Sequence, residues 1–151
     1  MGAFGSCTAI KSVNIQSNLL TTIARTAFAS CYALESIRIP STVTTIGPYA
    51  FSGCKALKSI DLPATVTQID EGAFRNCNSL QSINLPNINK IESHTFHGCT
   101  SLKEITLPTS LQEILYDSES GTSNGAFANC TSLTKVIIDD SERPLIIPQI
   151  T

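Results

Sequence analysis

The sequence predicts a solenoid of short stacked coils, because three features recur along it at one period. Six phenylalanines, spaced 24, 23, 23, 22 and 31 residues apart, mark this period: Phe4, Phe28, Phe51, Phe74, Phe96 and Phe127. A cysteine follows each of them after three residues, an aliphatic residue after six, and an aliphatic pair at nine and eleven. One such coil has nothing to pack against until the next coil arrives, so six coils are expected to share one stacked core.

Each coil is predicted to contain a strand, a bend, a second extended piece and a helical turn. Ile37 and Ile39 alternate with exposed positions as in a half-buried strand, and Pro40 ends the strand because it lacks an N–H. A second apolar pair follows the proline. Residues 50–54 are too short for an independent helix and are expected to form one helical turn. The predicted fold is therefore a short parallel β-ribbon with one-turn helices on the opposite side.

The residue before each cysteine favours a turn, and the chain departs from the repeat at three places. The turn-prone residues are Ser6, Ser30, Gly53, Asn76, Gly98 and Asn129. Gln16 and Asp139 stand in the first and last coils where the middle four coils have proline. Eight extra residues lie between Ile114 and Ala126. Residues 115–125 are therefore predicted to leave the solenoid as an inserted loop.

The composition favours one globular domain over residues 1–151 and argues against several classes of function. The chain is 42% hydrophobic and 15% charged, which is typical of a globular protein. Its net charge is -2 and its lysines and arginines are scattered, so a nucleic-acid surface is not expected. No apolar run approaches the ~18 residues of a membrane span, and residues 1–6 do not resemble a signal peptide.

The repeat resembles a known family. The residues that carry the resemblance are Leu34, Ile37, Ile39, Pro40, Val43, Ile46, Ala50, Phe51 and Cys54, and the pattern recurs over residues 57–77 and 80–99. This pattern is similar to the BspA-type leucine-rich repeats of oral and gut bacteria and of trichomonad parasites. The resemblance implies a leucine-rich-repeat solenoid. By analogy it also implies display at the cell surface or secretion, with adhesion to host or neighbouring-cell proteins.

The sequence predicts no catalytic, metal or cofactor site. Because the six cysteines share one repeat position, their parallel side chains favour buried thiols over disulfides, and His94 and His97 near Cys99 do not converge as zinc ligands should. Residues 121–125 match the spacing of a nucleophile elbow but lack its strand, helix and base. Residues 117–121 lack the distant glutamate of a calcium loop. A non-enzymatic protein-binding module is therefore expected.

The predicted partner-binding face is the exposed side of the ribbon. Polar residues there form one column, and the inserted loop adds an aromatic residue: Asn14, Arg38, Asp61, Asn84 and Thr106 on the ribbon, with Tyr116 at the loop. Rigid scaffolds often carry recognition on such faces and loops. A protein partner is expected to bind at these residues.

A second prediction concerns the C-terminal edge of the solenoid. Ile137 stands where every earlier coil has a polar residue, and an apolar run follows it: Leu145, Ile146 and Ile147. Either this segment covers the last coil or a second chain does, since an open apolar edge invites pairing. The second case would make the protein an intracellular, cytoplasmic scaffold that self-assembles as a homo-oligomer.

Overall fold

The computed structural model describes residues 2–116 and 125–138, and they form a parallel β-solenoid. The strands in the described residues are β1 (Ser12–Asn14), β2 (Thr22–Ile23), β3 (Ser36–Arg38), β4 (Thr45–Ile46), β5 (Ser59–Ile60), β6 (Gln68–Ile69), β7 (Ser82–Ile83), β8 (Lys90–Ile91), β9 (Glu104–Leu107), β10 (Glu113–Ile114) and β11 (Lys135–Ile138). Odd-numbered strands lie on one side of the coils and form the ribbon. Even-numbered strands lie on a second side. The predicted solenoid with a parallel ribbon is confirmed.

Equivalent positions of neighbouring coils pair with each other. In the ribbon, β1 pairs with β3, β5 with β7 and β9 with β11, and an isolated bridge joins Asn84 to Thr106 between the last two pairs. On the second side, β2, β4 and β6 form one ladder and β8 pairs with β10. Because every pairing between these strands is parallel, the same repeat position recurs on the same face of each coil. The two-residue side-chain alternation therefore buries one set of columns and exposes the other.

The core is a stack of identical side chains. Neighbouring phenylalanine rings lie 5.3 to 5.7 Å apart between centroids and within 11° of parallel, in one stack from Phe4 to Phe127. Phe51, Phe74 and Phe96 are fully buried. Columns of leucine, isoleucine and cysteine surround this stack. Large apolar surfaces are thus removed from water only by contact between coils, as the repeat predicts.

The prediction of one-turn helices is wrong for the described residues, which contain turns there instead. Between Tyr49 and Cys54, the N–H of Cys54 donates to the Phe51 carbonyl at 3.1 Å, but the N–H of Phe51 donates to Ala73 of the next coil at 2.8 Å. Tyr49 and Gly53 have positive φ angles of 55° and 76°, which end any helical run. The backbone therefore divides its hydrogen bonds between its own turn and the neighbouring coil.

The six predicted turn residues all have left-handed backbone conformations. Their φ angles lie between 57° and 76°, at Ser6, Ser30, Gly53, Asn76, Gly98 and Asn129. A second left-handed column, at Thr26, Tyr49, Gly72 and His94, was not predicted. Serine, glycine and asparagine before each cysteine signalled the first column, whereas threonine and tyrosine in the second column are not typical of this conformation.

Candidate partner-binding face

The ribbon presents a polar column to solvent along its length. Asn14 in β1 and Arg38 in β3 are exposed and lie in register, while Ile37, the residue before Arg38 in β3, is buried. Asp61 directly follows β5 and is exposed. Asn84 is bridged to Thr106, and both are exposed. The structure thus brings the five predicted ribbon residues to equivalent positions on one face.

Tyr116 lies outside this column. It follows β10, which belongs to the second side of the coils, and it is 51% exposed. An antiparallel bridge joins Tyr116 to Gly125 at the base of the inserted loop. The residues between them lie outside the described part of the chain. Tyr116 therefore does not join the ribbon residues in a continuous surface.

Among the described residues, the charged residues of the ribbon face are paired near its C-terminal end but not in the second and third coils. Near the C-terminal end, Lys135 Nζ lies 3.5 Å from Glu104 Oε2, and both side chains are largely exposed. Such a solvent-exposed ion pair contributes little to stability. Arg38 and Asp61, at equivalent positions in neighbouring coils, do not form an ion pair in the described residues. Their charged groups remain available to a partner.

A shallow depression lies beside the first two ribbon strands. Its volume is about 320 Å³. The residues that line it are Asn14, Ile15, Gln16, Ser17, Arg38, Pro40 and Ser41. Two of the predicted partner-binding residues, Asn14 and Arg38, therefore share one concave feature, which the alternation of exposed and buried residues alone did not indicate.

The cysteines form a column of free thiols. Cys31, Cys54, Cys77 and Cys99 are buried, whereas Cys7 and Cys130 at the two ends are half-buried. Burial raises the pKa of Cys54 to about 12 and holds that of Cys77 well above its usual value. Neutral thiols in an apolar stack serve packing rather than nucleophilic chemistry. In residues 2–116 and 125–138, no group of histidine, cysteine, aspartate and glutamate has the arrangement of a metal site.

A polar cluster on the turn side of the coils was missed by the sequence analysis. The Tyr49 hydroxyl donates to Glu71 Oε1 of the next coil, and His94 Nδ1 of the following coil lies 3.5 Å from the same oxygen. His94 is 7% exposed. These residues fall at the unpredicted left-handed column or beside it. The spacing of Tyr49 and His94, each two residues before a phenylalanine, was the available signal.

His97 extends this cluster toward the last coil. Its ring lies 5.6 Å from that of His94, and Asn129 Nδ2 lies 3.3 Å from its Nε2. Burial lowers the pKa of His97, and the positive charge of Arg75 and the neighbouring His94 lower it further. A neutral ring is therefore the favoured state of His97 near neutral pH.

The C-terminal edge of the ribbon exposes apolar side chains. Val136 and Ile138 of β11 are 49% and 47% exposed, although the equivalent positions of β9, Ile105 and Leu107, are buried. Ile137, predicted to form the edge contact, is half-buried. Leu145, Ile146 and Ile147 lie outside the described residues. No helix among the residues that the structure describes is long and apolar enough to cross a membrane.

The family comparison agrees with this architecture. The model of the BspA type leucine-rich repeat region matches in six copies, over residues 1–88 and 21–143. The chain belongs to the BspA-type leucine-rich repeat family. Membership of this family implies a protein-interaction module, because leucine-rich repeats present an extended face on a rigid solenoid. A comparison with curated proteins gives no match.

Solved leucine-rich repeat proteins have the same fold. One from Bacteroides ovatus is 36% identical with a TM-score of 0.78, over 89% of this chain and 33% of its own. The T. pallidum leucine-rich repeat protein is 34% identical with a TM-score of 0.74, over 83% of this chain and 57% of its own. One from Eubacterium ventriosum is 25% identical with a TM-score of 0.71, over 87% and 34%. This BspA-type chain therefore spans between a third and somewhat over half the length of these proteins.

Proposed function

We propose that this chain is a non-enzymatic module that binds a protein partner through the ribbon face, in adhesion at a cell surface. The observation that carries the proposal is the column of exposed polar residues held in register on stacked coils. Arg38 and Asp61 in this column have no intramolecular ion-pair partner among the described residues. Charges without an intramolecular partner favour specific recognition, and the stacked coils leave little backbone ordering to be done on binding.

The surface role rests on the family and on the relatives, which are bacterial leucine-rich repeat proteins. An adhesive module needs a stable extended face rather than a deep catalytic pocket. The described residues provide that face, and no nucleophile, base and oxyanion donors were found to converge there. A protein at the surface of a host or neighbouring cell is the partner class that this proposal names.

A binding screen with matched variants tests the proposal. The labelled chain is applied to an array of purified extracellular-matrix and cell-surface proteins. A triple variant, Arg38→Ala, Asp61→Ala and Asn84→Ala, is compared with a control triple on the second side, Thr22→Ala, Thr67→Ala and Glu113→Ala. All six positions are exposed. Loss of binding in the ribbon triple alone supports the proposal, and equal binding by both triples contradicts it.

A second candidate function is a self-assembling scaffold, which the exposed edge of β11 favours. Val136 and Ile138 are each about half exposed. Among the described residues β11 pairs only with β9, and a strand edge without a partner accepts a further strand from a second copy. Light scattering over a hundredfold concentration range tests this function. The scaffold predicts a mass that rises with concentration and falls in a Val136→Ser, Ile138→Ser variant. A monomer at tens of micromolar contradicts it.

A further inference from the structure

The bend of the first coil differs from the later bends in length and in hydrogen bonding. Ile23 lies eight residues after Ile15, whereas Ile46 lies seven residues after Ile39. In the second coil, the N–H of Val43 donates to the carbonyl of Pro40 at 3.1 Å and closes the turn. The first coil, which has glutamine in place of that proline, has a wider bend.

This wider bend is closed by a side chain. The N–H of Leu19 donates to Ser17 Oγ at 3.2 Å. The ladder above it ends where the N–H of Ile15 donates to the carbonyl of Arg38 at 3.3 Å. The depression of about 320 Å³ lies at this position, between the ends of two ribbon strands. The depression therefore lies where the wider bend of the first coil meets the bend of the second.

Five of the seven side chains around the depression can donate a hydrogen bond, and four of these five can also accept one. Asn14 and Gln16 contribute amide groups, Ser17 and Ser41 contribute hydroxyls, and Arg38 contributes a guanidinium group. No carboxylate lines the depression. In the described part of the chain no acidic side chain forms an ion pair with Arg38. Within the depression the guanidinium group of Arg38 is thus surrounded by neutral polar groups, and the carboxylate of Asp61 in the next coil does not pair with it.

We propose that this depression binds a carboxylate group of the partner protein, supplied by the side chain of an aspartate or glutamate. A guanidinium group binds a carboxylate through two parallel hydrogen bonds, which fix its orientation as well as its position. Ile15 and Pro40 offer apolar contact to the methylene groups of the same side chain. The volume lies at the small end of ligand sites, which suits one side chain. This inference rests on the proposed ribbon-face function.

Short peptides test the inference without the unidentified partner. Three peptides are titrated into the ¹⁵N-labelled chain at constant ionic strength: Ac-Gly-Glu-Gly-NH₂, Ac-Gly-Gln-Gly-NH₂, and Ac-Gly-Gly-Gly with a free C-terminal carboxylate. The glutamate peptide is expected to bind with roughly millimolar affinity. Its binding is expected to shift the signals of Asn14, Ser17, Arg38 and Ser41. The neutral glutamine peptide is expected to shift none of these signals.

Two charge-removing variants identify the group responsible. Arg38→Gln is expected to weaken binding of the glutamate peptide about tenfold or more, because a bidentate charged contact is lost. The matched control is Lys58→Gln, an exposed cation that does not line the depression. It is expected to change the affinity less than about twofold, since exposed charges away from the site are screened.

Each outcome decides between the alternatives. If the peptide with the free C-terminal carboxylate binds more tightly than the glutamate peptide, the ligand is a chain terminus and not an aspartate or glutamate side chain. Equal binding of the glutamine peptide, equal losses in both variants, or no binding up to about 50 mM would overturn the inference. If array proteins bind while Arg38→Gln has no effect, the ribbon-face function stands and the inference alone fails. If the glutamate peptide binds but no array protein does, the carboxylate-binding inference stands and the ribbon-face function fails.

Discussion

The Sγ of Cys54 donates a hydrogen bond to the backbone carbonyl of Phe28, one coil earlier, at 3.2 Å. The same carbonyl accepts the N–H of Cys31, also at 3.2 Å. Equivalent thiol bonds of 3.1 to 3.2 Å recur at the other coils, from Cys31, Cys77, Cys99 and Cys130. Both acceptor sites of a buried carbonyl are thereby used, which explains why the column contains cysteine rather than alanine.

The Cys54→Ala variant is expected to lower the free energy of unfolding by about 1 to 3 kcal/mol, because it removes this donor and leaves a small cavity. Urea denaturation followed by circular dichroism measures the change. Cys7→Ala is the matched control, since Cys7 is half-buried at the first coil, and it is expected to change stability by less than about 0.5 kcal/mol. Equal losses in the two variants would contradict the explanation.

Thiol reactivity is expected to differ sharply along the column. Cys7 is half-buried, whereas Cys54 is fully buried and its pKa is raised to about 12 by burial. The reactive thiolate is therefore scarcer at Cys54 by about a thousandfold than for an ordinary thiol. In the native protein at about pH 8, a disulfide reagent is expected to modify Cys7 first. Cys7→Ser should remove that first phase, and rapid modification of all six thiols would refute this account.

Gly72→Ala is expected to destabilise the solenoid more than Gly53→Ala. Both glycines have positive φ angles, 61° and 76°, so each alanine costs about 1 to 2 kcal/mol in backbone strain. At Gly53 the added Cβ meets its nearest atoms at 3.6 Å, but at Gly72 it overlaps the Tyr49 ring. We expect an additional cost of about 1 to 3 kcal/mol at Gly72.

A double variant separates these two contributions. Combining Tyr49→Ala with Gly72→Ala removes the overlap but keeps the backbone strain. Thermal or urea unfolding of the two single variants and the double variant gives the coupling energy between the two positions. A favourable coupling energy is expected. Purely additive losses would show that the ring does not obstruct the new methyl group.

Stability is expected to fall as pH drops through the histidine range. Burial, Arg75 and His94 lower the pKa of folded His97 below 6.5. The unfolded chain then binds more protons, so the stabilisation is complete above about pH 6.5 and is lost as pH falls toward the folded pKa. Wild type should therefore lose more thermal stability than His97→Gln between about pH 7.5 and about pH 5.5. Calorimetry in matched buffers measures this, and identical pH profiles for the two proteins would contradict it.

The burial and the turn conformation at the repeated positions were predictable, because equivalent residues have the same structural role in every coil. Phe51, Phe74 and Phe96 in the middle coils are buried as the repeat predicts, because stacking the coils removes these large apolar rings from water. Ser30, Gly53 and Asn76 signalled left-handed turns. The polar column through Arg38 followed from strand alternation alone. The repeat period and the polarity of the exposed residues therefore predicted the face that we propose for binding.

Other features depended on which coils touch. The segment around Phe51 contains turns because its N–H bonds to Ala73, a partner 22 residues away that no local pattern reveals. Tyr49, Glu71 and His94 meet only because parallel stacking places their coils next to each other. The depression at Arg38 likewise lies between two bends of unequal length in neighbouring coils. Sequence alone determined the repeat, its core and its exposed face, whereas contacts between coils decided the backbone bonding and the individual sites, because those depend on distances in space.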